Sequence, residues 1–221
     1  MELSKEQSRE IIARRVAKEF SEGDVITLGI GLPTEVANYI PAGLHVVVQS
    51  ENGLLGLGHR DLSCPDNPSV INAGGLAVTL KPGGVCFDTQ MSFIMIRGGH
   101  VDATVLGALE VDEEGNLANW MVPGVFVPGM GGAMDLVVGA KRVIIAMEHT
   151  SKGKPRIVKK CTLPLTAAKE VDLIVTERAV IEVTPQGLVL KEINPLFSLD
   201  EVLASTGADL IIPADLQSAA I

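Results

Sequence analysis

The sequence predicts an α/β protein built on an open, mostly parallel sheet flanked by helices, and three observations predict it. Short runs of Val, Ile and Leu alternate along the 221 residues with segments of helical period. The first two runs, Val25 to Leu28 and His45 to Gln49, enclose a helical stretch, giving a strand–helix–strand unit with parallel pairing and a right-handed crossover. Glycine clusters follow the runs as tight exits, where ligands of parallel sheets gather.

Ser4 to Phe20 opens the chain as an amphipathic helix. Ile12, Val16 and Phe20 share a face, Ala13 and Ala17 lie beside them, and Ser4 with Gln7 fits a capping box. Gly23 and Asp24 close that helix. After the first strand comes the loop Gly29-Ile30-Gly31-Leu32-Pro33, with Pro33 in the first turn of a helix running to about Ile40. The second strand delivers Glu51 into a loop with Gly53, Gly56 and Gly58. Further strands are expected at Ser69 to Ile71, Thr104 to Leu106, Val143 to Ala146 and Leu173 to Thr176, with a helix from Asp88 to Ile96. Glycine loops recur at Asn72-Ala73-Gly74-Gly75 and Pro128-Gly129-Met130-Gly131-Gly132. A hairpin joins Ala179 to Val183 with Leu188 to Lys191, a short helix covers Ser198 to Ala204, and Asp209 to Ile212 is a last strand. The tail after Pro213 is expected to fray. With no repeat and no linker, residues 1–221 read as one domain.

Composition narrows the function. Nearly half the residues are apolar and only 3% aromatic, so the core is aliphatic. A net charge of −9 argues against a nucleic-acid partner. Cys64, Cys86 and Cys161 are sparse and lack a CxxC pair, which argues against disulfides and zinc and fits a reducing cytoplasm. Each cysteine is expected to be a small buried hydrophobe. The charged start lacks a signal-peptide core, and no run of about 18 apolar residues predicts a membrane span.

Several candidates have bland readings. Gly29-Ile30-Gly31 lacks the third glycine of a dinucleotide fingerprint, though its amides are placed to meet an anion. His45, His59, His100 and His149 show no ligand spacing and read as structural or surface residues. Glu148 and His149 are adjacent on an extended segment and point apart. The basic run Lys152, Lys154, Arg156, Lys159 and Lys160 is either a solvated hairpin or a contact for phosphates. Met130 to Asp135 either packs a helix on the sheet or offers amides to an oxyanion.

Four segments then line up: Gly29-Ile30-Gly31-Leu32-Pro33-Thr34, Ser50-Glu51-Asn52-Gly53, Ile96-Arg97-Gly98-Gly99-His100 and Gly129-Met130-Gly131-Gly132-Ala133-Met134-Asp135. Asn116-Leu117-Ala118-Asn119-Trp120 and Lys160-Cys161-Thr162-Leu163-Pro164-Leu165-Thr166 join them. In this order and spacing they resemble the β subunit of family I CoA-transferases of the 3-oxoacid or acetoacetate type. The likeness runs from about Ile11 to Leu216 and is nearest to the β chains of the bacterial butyrate/acetate–acetoacetate branch.

The resemblance implies the CoA-transferase (NagB/RpiA-like) fold and a homologous α subunit in an α2β2 assembly. It implies coenzyme A as co-substrate, with no permanently bound cofactor and no metal. It puts the nucleophile on Glu51 and the oxyanion-hole amide on Gly132, with Gly131 beside it. The CoA-contacting loop falls on Gly29, Ile30, Gly31, Leu32 and Pro33. Asn52, Gly53, Asn72 and Gly74 join it as substrate- or CoA-binding positions, and nothing is carried onto His59 to Pro68. The expected reaction moves CoA from a short-chain acyl-CoA to an acid through a glutamyl-CoA thioester. An acyl-CoA hydrolase on the same scaffold and a non-catalytic CoA-binding subunit are the alternatives.

Overall fold

The computed structural model describes residues 3–60, 70–125, 127, 129–214 and 216–218. In chain order the elements are α1 (Lys5–Ala17), β1 (Val25–Leu28), α2 (Leu32–Glu35), β2 (Val47–Ser50), β3 (Leu54–Arg60), β4 (Val78–Cys86), α3 (Thr89–Arg97) and β5 (Ala103–Leu106). There follow β6 (Glu110–Asp112), β7 (Leu117–Ala118), α4 (Ala133–Gly139), β8 (Val143–Ala146), β9 (Thr150–Ser151), β10 (Lys154–Pro155) and β11 (Ile157–Val158). The last are β12 (Leu173–Val175), β13 (Ala179–Thr184), β14 (Gly187–Ile193), α5 (Leu199–Ser205), β15 (Leu210–Ile211) and β16 (Gln217–Ser218).

The main sheet runs in the order β15-β14-β13-β12-β8-β5-β1-β2-β3-β4, with β16 also against β14. Its centre, β12-β8-β5-β1-β2, is parallel throughout. Antiparallel pairs extend it at both sides, β13 and β14 beyond β12 and β3 and β4 beyond β2. This is the open, mostly parallel α/β sheet expected from the strand–helix–strand unit, and β1 and β2 pair as that unit requires.

Two apolar layers hold the sheet. On one side Ile12, Ala13, Val16 and Ala17 of α1 pack with Ile26, Val36, Val105 and Ile144. On the other, Ile96 of α3 and Leu136 and Val137 of α4 pack with Val143, Ile145 and Ile174. Each fully buried side chain of this size contributes about 1.5–3 kcal/mol. The predicted capping box of α1 is present, with Ser4 and Gln7 exchanging side-chain and backbone hydrogen bonds. Asp88 caps α3 by accepting from the Met91 N–H, and Ser198 with Glu201 forms a second capping box on α5.

Strands β4, β6, β7 and β11 have no counterpart among the expected elements, and four of the expectations turn out differently. The helix after Pro33 is α2 followed by a 3₁₀ turn at Val36–Tyr39. The glycines after Glu51 do not form a loop, since Leu54–Arg60 is a strand whose Gly56 has φ +83 and faces Gly84. The expected strand at Ser69 to Ile71 lies partly outside the described residues, and Ile71 makes only an isolated bridge to Ala77. The tail does not simply fray, because Gln217–Ser218 pairs with Glu192 and Ile193. No helix among the described residues is long and apolar enough to cross a membrane.

Candidate functional site

The site forms where β1 and β2 end side by side. Glu51 begins the turn between β2 and β3, which closes with the Gly53 N–H donating to Ser50 O at 3.0 Å. Gly53 is dictated by this turn: its φ is +115, and a Cβ there would stand 2.0 Å from Phe87 O. The Phe87 N–H donates to Gly53 O at 2.9 Å, tying the turn to the chain just before α3. Ser50 is buried, and its hydroxyl accepts from the Ala73 N–H at 2.8 Å.

The Glu51 side chain turns toward the start of α4. A Cβ built on Gly132 would lie 2.9 Å from Glu51 Cδ, 2.9 Å from Oε2 and 3.0 Å from Oε1. Only a residue without a side chain fits between the carboxylate and the helix start. Gly131, at φ +58, would place its Cβ 3.9 Å from Oε1. Burial pushes the Glu51 carboxyl above its ordinary value of 4.5, the Gly132 backbone N–H opposes this by hydrogen bonding, and the negative charge of Asp135 adds to the rise. Among the described residues no cation neutralises Glu51. Asp135 is instead paired with Arg97 at 2.6 Å, linking α4 to α3.

The other expected positions divide into two groups. Leu32 and Pro33 are buried in the first turn of α2, whereas Ile30 is 72% exposed. The Gly29 N–H donates to Val105 O at 2.8 Å, and Gly31, at φ +93, has open space where a side chain would be. Asn72 Oδ1 accepts from the N–H groups of Gly74 and Leu76, both at 3.0 Å, so its side chain holds its own loop. That loop reaches the first one, since a Cβ on Gly74 would lie 3.4 Å from Ile30 Cγ1. Asn52 Nδ2 donates to Ile71 O at 2.8 Å and pins the same loop to the Glu51 turn. The structure thus sets Glu51 against Gly132, with Gly131 adjacent, and joins the Gly29–Pro33 and Asn72–Gly75 loops beside them.

The bland candidates are equally clear. His149 is fully buried, with Nδ1 2.9 Å from Thr176 Oγ1 and Nε2 2.8 Å from Thr206 Oγ1, and burial lowers its pKa to about 3. The basic run forms the β9–β10 hairpin with Lys152 and Gly153 at its turn, and Lys159 pairs with Asp209 at 2.7 Å. Cys161 is half-buried, its thiol pushed up to about 12 by burial and by the nearby Asp112 and Glu110 charges. Cys86 corrects the expectation of a buried thiol: it is exposed at the end of β4. Cys64 lies outside the described residues.

Sequence reasoning missed Gln49 and Ser92. Gln49 is 2% exposed and donates through Nε2 to Ser92 Oγ at 3.1 Å. The available signal was a Gln closing the apolar run Val46-Val47-Val48.

The fold and site define an open α/β protein with a poorly solvated carboxylate at the carboxyl edge of its parallel strands, set against a glycine amide. Comparison with known proteins makes this specific: the coenzyme A transferase family matches residues 9–205, and the chain belongs to that family. It is 56% identical over 213 residues to the β subunit of acetate CoA-transferase from Haemophilus influenzae, covering 95% of this chain and 94% of that one. It is 50% identical over 219 residues to mitochondrial succinyl-CoA:3-ketoacid coenzyme A transferase 2A of Rattus norvegicus, covering 97% of this chain but 42% of that longer one. Among solved structures, acyl-CoA transferase YdiF of Escherichia coli superposes with a TM-score of 0.77 at 21% identity, over 99% of this chain and 44% of that chain. That last likeness bears on the fold alone. The chain is a family I CoA-transferase β subunit, with coenzyme A as co-substrate.

Proposed function

We propose that the protein transfers CoA from a short-chain acyl-CoA to a carboxylic acid of the acetate, butyrate or acetoacetate type, through a covalent glutamyl-CoA thioester on Glu51. The observation that carries this reading is the seating of the Glu51 carboxylate on Gly132, with room for no side chain between them. The raised pKa makes the carboxylate more basic than a solvated one, hence a better nucleophile once ionised.

The steps follow from the groups. The carboxylate of Glu51 attacks the thioester carbonyl, and the tetrahedral oxyanion forms beside the Gly132 N–H. Collapse breaks the C–S bond, releases the CoA thiolate and leaves a mixed acyl–glutamyl anhydride. The thiolate then attacks the glutamyl carbonyl, expelling the donor acid as its carboxylate and giving the glutamyl-CoA thioester. The acceptor carboxylate runs the same sequence in reverse and departs as its CoA ester. No proton need move, because carboxylates enter and leave. Binding of the remote parts of CoA, assigned to the Gly29–Pro33 loop with Asn52, Gly53, Asn72 and Gly74, lowers the barrier that a weak nucleophile would otherwise face.

The anhydride must be shielded from water. A homologous α subunit, in an α2β2 assembly, supplies that cover. The exposed apolar side chains of Ile30, Val125, Val127 and Met134, all near site residues in sequence, support a covered surface here.

The test uses the enzyme assembled with its α subunit. Acyl-CoA treatment followed by borohydride reduction and peptide mass analysis is expected to alter the Glu51 peptide, and Glu51→Ala to abolish transfer. Wild-type-like transfer by Glu51→Ala removes the assignment. CoA release that ignores added acetate or acetoacetate identifies a hydrolase instead.

A further inference from the structure

We infer that Gln49, through its hydrogen bond to Ser92, is a positioning residue that keeps the Glu51 carboxylate in register with the Gly132 amide. The inference rests on the reading of Glu51 as nucleophile. Gln49 reaches Ser92 of α3 and Glu51 reaches Gly132 at the start of α4, so both side chains turn toward the face that those two helices cover. Strand register sets Gln49 beside Thr27, and Thr27 beside Thr104. These three form a buried polar row, at 2%, 3% and 0% exposure, on the sheet face that α3 and α4 cover.

The row is costly at one point. The two threonines satisfy each other, with Thr27 Oγ1 donating to Thr104 Oγ1 at 2.7 Å. Gln49 Nε2 donates to Ser92 Oγ at 3.1 Å, but Gln49 Oε1 is buried and has no partner among the described residues. An apolar side chain of similar size would fill this place without leaving an acceptor bare. A polar side chain held at such a site has to be explained by what its hydrogen bonds to Ser92, at 3.1 Å to Oγ and 3.5 Å to the backbone carbonyl, accomplish.

Its partner answers that question. Ser92 lies in the middle of α3, fully buried. Just before α3, the Phe87 N–H bonds Gly53 O. The Glu51 turn is therefore fastened to α3 on its upstream side by Gln49 and on its downstream side by Phe87. Helix α3 is in turn locked to α4: a Cβ on Gly139 would lie 2.3 Å from Ile96 O, and Arg97 pairs with Asp135. Gly132 is the N-cap of α4. Nucleophile and amide thus share α3 as a support, and the Gln49–Ser92 bond is the upstream half of the connection. Its loss leaves the Glu51 turn tied to α3 through Phe87 alone.

The experiment compares Gln49→Met, Ser92→Ala and the double variant in the enzyme assembled with its α subunit, measuring kcat, KM and melting temperature. Misplacement of a reacting group by a fraction of an ångström to an ångström costs on the order of ten- to a hundredfold in rate. Each single variant is expected to lose that much in kcat with KM little changed, and the double variant to lose no more than the worse single one. The melting temperature of Gln49→Met is expected to stay level or rise. A kcat for Ser92→Ala within about twofold of the parent, multiplying losses in the double variant, or a kcat loss that tracks a fall in melting temperature would each overturn the inference. Should Gln49→Met fail to assemble, Ser92→Ala decides, since it removes the shorter bond and leaves only the 3.5 Å contact to the backbone carbonyl of residue 92. A Glu51→Ala control separates the two failures: an inactive control beside fully active Gln49 and Ser92 variants removes only the positioning role, and an active control removes the nucleophile itself.

Discussion

Replacing Gly132 by Ala asks the sharpest question of the site. The backbone there has φ −83 and ψ 7, which an alanine adopts without strain. The added methyl would instead meet three atoms of the Glu51 carboxyl group at 2.9–3.0 Å, several tenths of an ångström inside ordinary contact. A carboxylate at the end of a flexible side chain escapes by rotating, so the fold is expected to lose little. What it forfeits is its place beside the Gly132 amide. The amide itself survives the substitution, so the loss is one of alignment, and misplacing a reacting group by about an ångström costs on the order of 10²-fold in kcat. Gly131→Ala is the control. Its φ of +58 charges an alanine about 1–2 kcal/mol in backbone strain, while its methyl would stop 3.9 Å from Oε1. Steady-state transfer and thermal melts on the assembled enzyme should therefore diverge: Gly132→Ala folds normally and turns over poorly, and Gly131→Ala melts earlier with less loss of turnover. Near-normal kcat in Gly132→Ala refutes the reasoning.

Three further outcomes follow from the same geometry. Because the folded pKa of Glu51 is raised, its ionisation opposes folding: the cost is absent below the unfolded carboxyl pKa and complete above the folded one. Glu51→Gln should accordingly be inactive yet more stable than the parent near neutral pH, with the gain vanishing in acid, as read by denaturation at the two pH values. His149 behaves in the opposite sense, since its folded pKa of about 3 lies below the ordinary 6.5. The stability of its neutral form is present above about pH 6.5 and falls away toward pH 3, a loss on the order of 4–5 kcal/mol that His149→Gln should remove from the pH profile of unfolding. Gly53→Ala collides with Phe87 O at 2.0 Å in a backbone region hostile to alanine, so it should cost more than about 3 kcal/mol and leave little assembled enzyme on size-exclusion chromatography.

Much of the scaffold was legible because its physics is local. β1 and β8 have the bounds that their aliphatic runs dictate, and the caps of α1, α3 and α5 are spelled by Ser4, Asp88 and Ser198. What stayed hidden is non-local. Leu54–Arg60 carries three glycines with its neighbours and looks like a loop until β4 arrives to pair with it. In the pair, Gly58 makes room for Thr79 and Gly56 for Gly84, contacts that only the partner strand reveals. Gln217–Ser218 is a strand for the same reason, since its hydrogen-bonding partners lie in β14.

The site divides along the same line. Glu51 could be singled out because a lone acid after an apolar run has to account for its charge, and Gly132 because glycines before a helix leave amides free. That the two touch follows from three separate facts of packing. β2 ends beside β1, α3 sits against β2 through Ser92, and α4 lies tight on α3 because Gly139 has no side chain. Each is invisible in its own segment. Together they fix the distance between a charge and an amide that lie 81 positions apart in the sequence (132 − 51). Asp135 illustrates the consequence. It is part of the same glycine-rich segment, yet its carboxylate destabilises the Glu51 charge while its pairing with Arg97 holds the helix that supplies the amide. One residue therefore raises the basicity of the Glu51 carboxylate and ties the helix that carries the Gly132 amide to α3, and removing the Arg97 partner would trade the second effect for more of the first.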